Sequence, residues 1–241
     1  MKDHSEKSIP KKAHSDFVKY CIQNLDFEEP DQFEDYFSCV PLCAINAVYS
    51  INTKYVAVEN AVQRFCNYFD IEKGHTRRGQ IPPKRNQKTV SEIYKLIKDI
   101  KPQTLASKIF ENRQRTSPTN GILKSDASVR FIKTLKDFDV ETFQDIRKVY
   151  NNAAFHNKIK EIPGQKSGIS LRYFFMTTGT KNQIKPDRWI IRCIENATGL
   201  IVSTDEAFLI VENAVKILRQ KGYPNLSERH LDNLMWNHMA G

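Results

Sequence analysis

Apolar residues in this chain recur mostly at every third or fourth position, and stretches that alternate apolar with polar residues are scarce. Residues 56–69 place Val58, Ala61, Val62, Phe65 and Phe69 on one helical face. Thr89 and Glu92 have capping-box spacing ahead of Ile93, Leu96, Ile97 and Ile100, which repeat at helical intervals. Further helices are expected near residues 104–111, 125–137, 142–151, 187–195, 204–220 and 227–238. Residues 33–50 also read as helical, but Pro41 should kink that helix or split it after Cys39 or Val40, because its ring removes a donor and clashes with the preceding turn. Gly199-Leu200-Ile201-Val202 is too short to argue for a sheet. An all-α fold follows.

Chemistry-bearing residues gather between positions 160 and 192. A helical turn or two ending in Ile159 and Ile162 is followed by Pro163-Gly164-Gln165-Lys166-Ser167-Gly168, after which Ile169, Tyr173 and Met176 recur at helical spacing. Pro163 discourages helix at Ile162, and Gly164 tolerates the positive φ that a tight reversal needs. The expectation is two helices joined by a short turn whose backbone N–H groups, with the start of the second helix, suit a phosphate. Lys160, Lys166 and Arg172 add positive charge. Gly179 stops the second helix. Asp187, behind Pro186 and ahead of Trp189, Ile190, Ile191 and Ile194, is an N-cap for a third.

The turn, the helix after it, Asp187 and Arg192 together resemble the helix-hairpin-helix DNA glycosylases of the endonuclease III type. That signature is leucine-proline-glycine, a short turn, a helix, and an aspartate about two dozen residues later with an arginine five positions beyond. Here Pro163 and Asp187 are 24 positions apart and Arg192 lies five after Asp187. The likeness is close over residues 161–192 and looser back to Ala47, and an insertion is expected within residues 74–118.

The resemblance implies two helical lobes with an interlobe cleft. Residues 40–180, with the hairpin, would form the central lobe, and residues 15–39 with 187–241 the second. It implies base removal by hydrolysis of the N-glycosidic bond after base flipping, with Asp187 as the catalytic carboxylate. A fixed carboxylate there stabilises the developing sugar cation and orients water. Pro163, Gly164, Gln165, Lys166, Ser167 and Gly168 would touch DNA. Backbone carbonyls of Lys160, Ile162 and Gln165 would hold a structural Na+ or K+; no other cofactor is implied. Asn52, ending the apolar stretch 44–52, stands where the family has a lesion-probing glutamine; capping the helix end is its other reading. Asp187 likewise has a plain capping role as its alternative. Strand-cutting relatives carry a lysine where this chain has Gly168, so a monofunctional hydrolase is expected, although Lys166 lies near enough to keep lyase chemistry open. Only Cys193 follows in the region of the family's four-cysteine loop, so no iron–sulfur cluster is expected.

Composition narrows the setting. The 241 residues are 40% hydrophobic, enough for one good core or two small lobes. A net charge of +9 favours a polyanion but does not separate DNA from RNA or an acidic protein. Lys73, Arg77, Arg78, Lys84, Arg85 and Lys88 crowd a Gly- and Pro-containing segment, and residues 112–121 form a second polar loop; each is either a solvated connection or a nucleic-acid contact. Residues 1–14 are polar, lysine-rich and aperiodic, and are expected to be a mobile tail. No stretch approaches the roughly 20 apolar residues that cross a bilayer, and no secretory segment is evident. Five cysteines, Cys21, Cys39, Cys43, Cys66 and Cys193, sit mostly among apolar neighbours and read as reduced core thiols. Cys39 and Cys43 lie a helical turn apart, without the partners that would complete a metal site. The expected protein is an intracellular monomer of the nucleoid or nucleus acting on double-stranded DNA with a damaged or modified base. A non-catalytic helix-hairpin-helix DNA-binding protein and an interaction protein for an acidic partner are the alternatives. Uracil, oxidised or alkylated purines and hypermodified bases all remain as targets.

Overall fold

The computed structural model describes residues 9–29, 36–74 and 80–240. It is all-α, with no strand among the described residues and only isolated bridges at Phe37–Gly74 and Arg115–Leu123. The helices are α1 (Lys11–Asn24), α2 (Val40–Tyr49), α3 (Tyr55–Phe69), α4 (Val90–Ile97), α5 (Pro102–Thr104), α6 (Lys124–Asp137), α7 (Arg147–Tyr150), α8 (Ala153–Lys160), α9 (Ile169–Thr177), α10 (Arg188–Thr198), α11 (Thr204–Gln220) and α12 (Glu228–Ala240). A π-helical turn, Leu105–Ile109, continues α5. The chain divides into two compact units, Phe33–Thr180 and Met1–Gln32 with Lys181–Gly241.

In the larger unit, α2 is buried along its whole length. Its sequence is nearly uniformly apolar, so it has no solvent face, and α3, α6 and α9 pack around it. Pro41 sits in its first turn, where a missing N–H costs nothing. The expected helix from residue 33 is therefore corrected: Cys39 is an extended N-cap, and the described residues before it are not helical, Phe37 bridging Gly74 and Ser38 N–H donating to Lys73 O at 3.0 Å. Phe65 stacks on Phe110 with centroids 5.3 Å apart, and Tyr49 meets the same ring at 4.8 Å.

Helix α4 starts at the expected capping box of Thr89 and Glu92 and buries Val90, Ile93 and Ile97 against α6. Leu96, placed on the same apolar repeat, is 46% exposed. The segment before α4 is held down by Gln87. Its amide nitrogen donates to Pro82 O (2.6 Å) and Gln144 Oε1 (3.0 Å), while its oxygen accepts from Phe143 N–H (3.0 Å). Arg77 and Arg78 lie outside the described residues.

The polar loop 112–121 is also more than a solvated connection. Thr116 N–H donates to Ile122 O and Lys124 N–H to Gln114 O, both at 2.9 Å, and the Arg115 guanidinium donates to Gly121 O at 2.7 Å. Lys124 itself is 2% exposed, and its ammonium donates to Tyr49 O (2.9 Å), Ile51 O (2.6 Å) and Thr53 Oγ1 (2.6 Å). It thus satisfies carbonyls at the inward end of α2, where the helix dipole is negative.

In the smaller unit, α1 packs on α10 and α11, and α12 on α10, around Phe17, Cys21, Ile190, Cys193, Ile210 and Val211. Helix α1 starts at Lys11 and buries Ala13, so the segment 1–14 read as a tail includes the first turn of a helix. A capping box of Ser203 and Glu206 starts α11. All five cysteines are buried free thiols. Burial pushes Cys39 up to about 11 and Cys66 and Cys193 up to about 12. None of these three is therefore a ready nucleophile.

Lys124→Met should cost about 3 kcal/mol in urea denaturation, because it keeps the stem but leaves buried acceptors at the end of α2 unpaired. A midpoint within error of wild type would show that water can replace the ammonium.

Candidate functional site

The segment between α8 and α9 reverses the chain over residues 161–168. Ile162 O accepts from Gln165 N–H (2.9 Å) and Gln165 O from Gly168 N–H (3.0 Å), so two consecutive turns are locked by backbone bonds. Gly164 has φ +83° and Gly168, the N-cap of α9, φ +73°. A Cβ at Gly164 would lie 2.4 Å from Thr116, so loop 112–121 braces this turn as tightly as the backbone conformation does. The stem of Lys160 lies across Gly168: a Cβ there would meet Lys160 Cε at 3.1 Å and Nζ at 3.9 Å.

The residues expected to touch DNA separate by exposure. Gly164, Lys166 and Ser167 are exposed, as is Lys160, and Pro163 is partly so, whereas Gly168 is buried. Gln165 departs from expectation: its side chain is 2% exposed, accepts a hydrogen bond from Ser170 Oγ, and leaves its amide nitrogen without a protein partner. A buried amide braces the turn and makes no surface contact. Of the carbonyls read as cation ligands, Ile162 O and Gln165 O each already accept one N–H, so only their second lone pairs are open; this donor set does not single out a cation site. Among the described residues, no group of three or more His, Cys, Asp or Glu could hold a metal ion.

Asn52 belongs to the same unit. It is exposed, beyond the end of α2, in the left-handed region at φ +51°. Asparagine tolerates this conformation, in keeping with a helix-end role. The flanking residues are fixed by Lys124 and by Thr53 Oγ1 donating to Gln114 Oε1 (2.8 Å), so an exposed amide stands on a rigid support.

Asp187 belongs to the smaller unit and is the N-cap of α10, accepting from Trp189 N–H (2.9 Å) and Ile190 N–H (3.4 Å) through Oδ1. Its other oxygen is 4.0 Å from Lys185 Nζ. Arg188 and Arg192 are exposed and lie over the Trp189 ring at 4.9 and 5.7 Å, which sets two cations beside the carboxylate's helix turn.

Sequence reasoning missed two neighbours of this carboxylate. Lys185 is mostly buried, and burial lowers its pKa against the opposing pull of Asp187 and Asp232. Asp232 on α12 is 6% exposed and accepts from Lys185 N–H at 2.9 Å. Burial foremost, and the negative charge of Asp187 further, push its carboxyl up to about 8, while the Lys185 N–H bond pulls the other way. The one signal of Asp232 in the sequence is an acidic residue between Leu231, Leu234 and Met235, the buried positions of α12.

The chain belongs to the family described as Domain of unknown function (DUF8548), which matches residues 15–240. No curated protein and no solved structure matches the chain.

The raised pKa of Asp232 gives its contribution to stability a pH dependence of defined sign. Between about pH 4 and about pH 8 the folded chain holds a proton that the unfolded chain has released, so the contribution of Asp232 to stability declines as pH rises through that window. Asp232→Asn keeps an acceptor for Lys185 N–H and removes the titration. Its denaturation midpoint should fall less than that of wild type between about pH 5 and about pH 8; parallel curves would show that Asp232 titrates with ordinary carboxylates.

Proposed function

We propose that this protein is a DNA glycosylase that releases a damaged or modified base by hydrolysis, with Asp187 as the reacting carboxylate and the turn 161–168 as a grip on the DNA backbone. The observation that carries the reading is the braced turn itself. It presents Lys160, Lys166 and Ser167 to solvent at the start of α9, an arrangement suited to a phosphate. Asp187 supplies what the reaction then needs. Its Oδ1 is anchored on α10, and its Oδ2 is the oxygen left to face a developing sugar cation or to orient water. Asn52 is exposed on a fixed loop, as a residue that fills the space of an extruded base must be. The same reading makes the protein an intracellular partner of duplex DNA; no helix among the described residues is long and apolar enough to cross a membrane. A non-catalytic DNA-binding protein is the second reading, favoured by the capping bonds that occupy Asp187 Oδ1.

One substitution separates the two. Asparagine caps a helix about as well as aspartate, whereas alanine costs about 1 kcal/mol. Asp187→Asn should therefore keep the fold and bind damaged duplex normally, while releasing base on the order of 100-fold more slowly. Base release from a panel of modified duplexes, read by mass spectrometry, is the measurement. Turnover near wild type would leave Asp187 as a cap.

The turn makes a separate prediction. Lys160→Ala and Lys166→Ala should each weaken binding to all duplexes alike and reduce the salt slope of log affinity by about one for each phosphate that is no longer neutralised. Unchanged slopes would remove the turn from the DNA interface. Substitution at Gly164 is avoided, because the contact with Thr116 would disturb the fold as well.

A further inference from the structure

We propose that Asp232 is a positioning residue for the Asp187 carboxylate, acting from α12 through Lys185. The proposal rests on the reading of Asp187 as the reacting group. The segment 181–187 has no regular structure, and α12 clamps it at two places: Arg229 N–H donates to Lys181 O at 3.0 Å, and Asp232 Oδ1 accepts from Lys185 N–H at 2.9 Å. From Lys185 the linkage continues directly to the site, since Asp187 N–H donates to Lys185 O at 2.6 Å across Pro186. Ile184 and Pro186 are both buried, so this stretch cannot swing away without exposing apolar surface. Asp232 thus fixes the backbone on which Asp187 stands, and it fixes the origin of the lysine side chain whose amine faces Asp187 Oδ2.

A neutral acceptor would suffice for the N–H bond alone. An acid adds control over the amine, because Lys185 lies under the influence of two carboxyl groups. Asp232 ionises at about pH 8, and from there its charge competes with that of Asp187 for the Lys185 amine. The other charged side chains of this turn of α12 are Glu228 and Arg229, both buried, and α11 contributes Arg219, whose guanidinium lies 3.6 Å from Glu228.

The test uses the full chain and two readouts. In base release, Asp232→Leu should lower kcat about tenfold or more with KM unchanged, since misplacement of a reacting group acts on turnover. Asp232→Asn should restore kcat at neutral pH and abolish its change above about pH 8. Equal loss in both variants, or wild-type turnover in the leucine variant, would overturn the proposal. Without any substrate, carbon-detected NMR titration of labelled aspartate in Asp187→Asn should show the Asp232 carboxyl falling by about one pH unit as its like-charged neighbour is removed. An unmoved titration would overturn the link even if the leucine variant fails to fold. Should wild type release no base from any duplex, the glycosylase reading fails alone: the coupling between the two acids is still measured directly.

Discussion

A helix buried on every side has to end inside the protein, and the ammonium of Lys124 is what lets α2 do so. The last carbonyls of a helix lack partners within it, and leaving one dry costs about 1–3 kcal/mol. Ser50 Oγ answers Ala47 O, and Lys124 answers Tyr49 O and Ile51 O. A buried cation is itself expensive, but here it faces carbonyl and hydroxyl oxygens at the negative end of a helix, which offsets its desolvation. Much of the larger unit is arranged around that pairing. The same lysine starts α6, its backbone N–H closes loop 112–121 on Gln114 O, and that loop in turn supports Gly164.

The smaller unit solves the converse problem, at the start of a helix. Residues 181–187 carry polar backbone past a packed core, and α12 supplies the partners. Asp187 then closes the first turn of α10 with one oxygen only. A carboxylate held in this way has lost the rotational freedom that would blur its position, the property that the proposed function would draw on at the second oxygen. Capping and the proposed catalysis do not exclude each other, because they would use different atoms of one group.

How much of this is legible in the sequence follows from the range of each interaction. Periodic helices with local start signals are legible: the capping box of Thr89 and Glu92, the N-cap at Asp187 and the glycine turn at Gly164 are all set by residues within a few positions of one another. The start of α2 is legible in kind, as Pro41 does interrupt the pattern, but the helix begins there because Ser38 is tied to Lys73 and Glu72, far along the chain. Gln165 looks like an exposed turn residue, since glutamine next to lysine gives no local sign of burial; the packed interior against Ser170 decides it. Lys124, Lys185 and Asp232 escape sequence reasoning for one reason. Each meets a partner dozens of residues away, and for Lys124 and Asp232 the local trace is a charge in register with apolar positions, as Lys124 is with Phe131 and Leu135.

Long-range contacts of this kind also set how rigid the exposed parts of the larger unit are. The turn 161–168 is braced by Thr116 on one side and by the buried Gln165 on the other, so the backbone that carries the exposed Lys166 has a fixed base. Under the proposed function, contacts of this kind would place a duplex without reading it. Under the proposed function, any choice among bases would come from side chains that are exposed yet tied to the same scaffold, and Asn52 meets both conditions through Thr53, Gln114 and Lys124. The ammonium that lets α2 end inside the protein is therefore also what connects the exposed loop at Asn52 with the loop that steadies the turn 161–168.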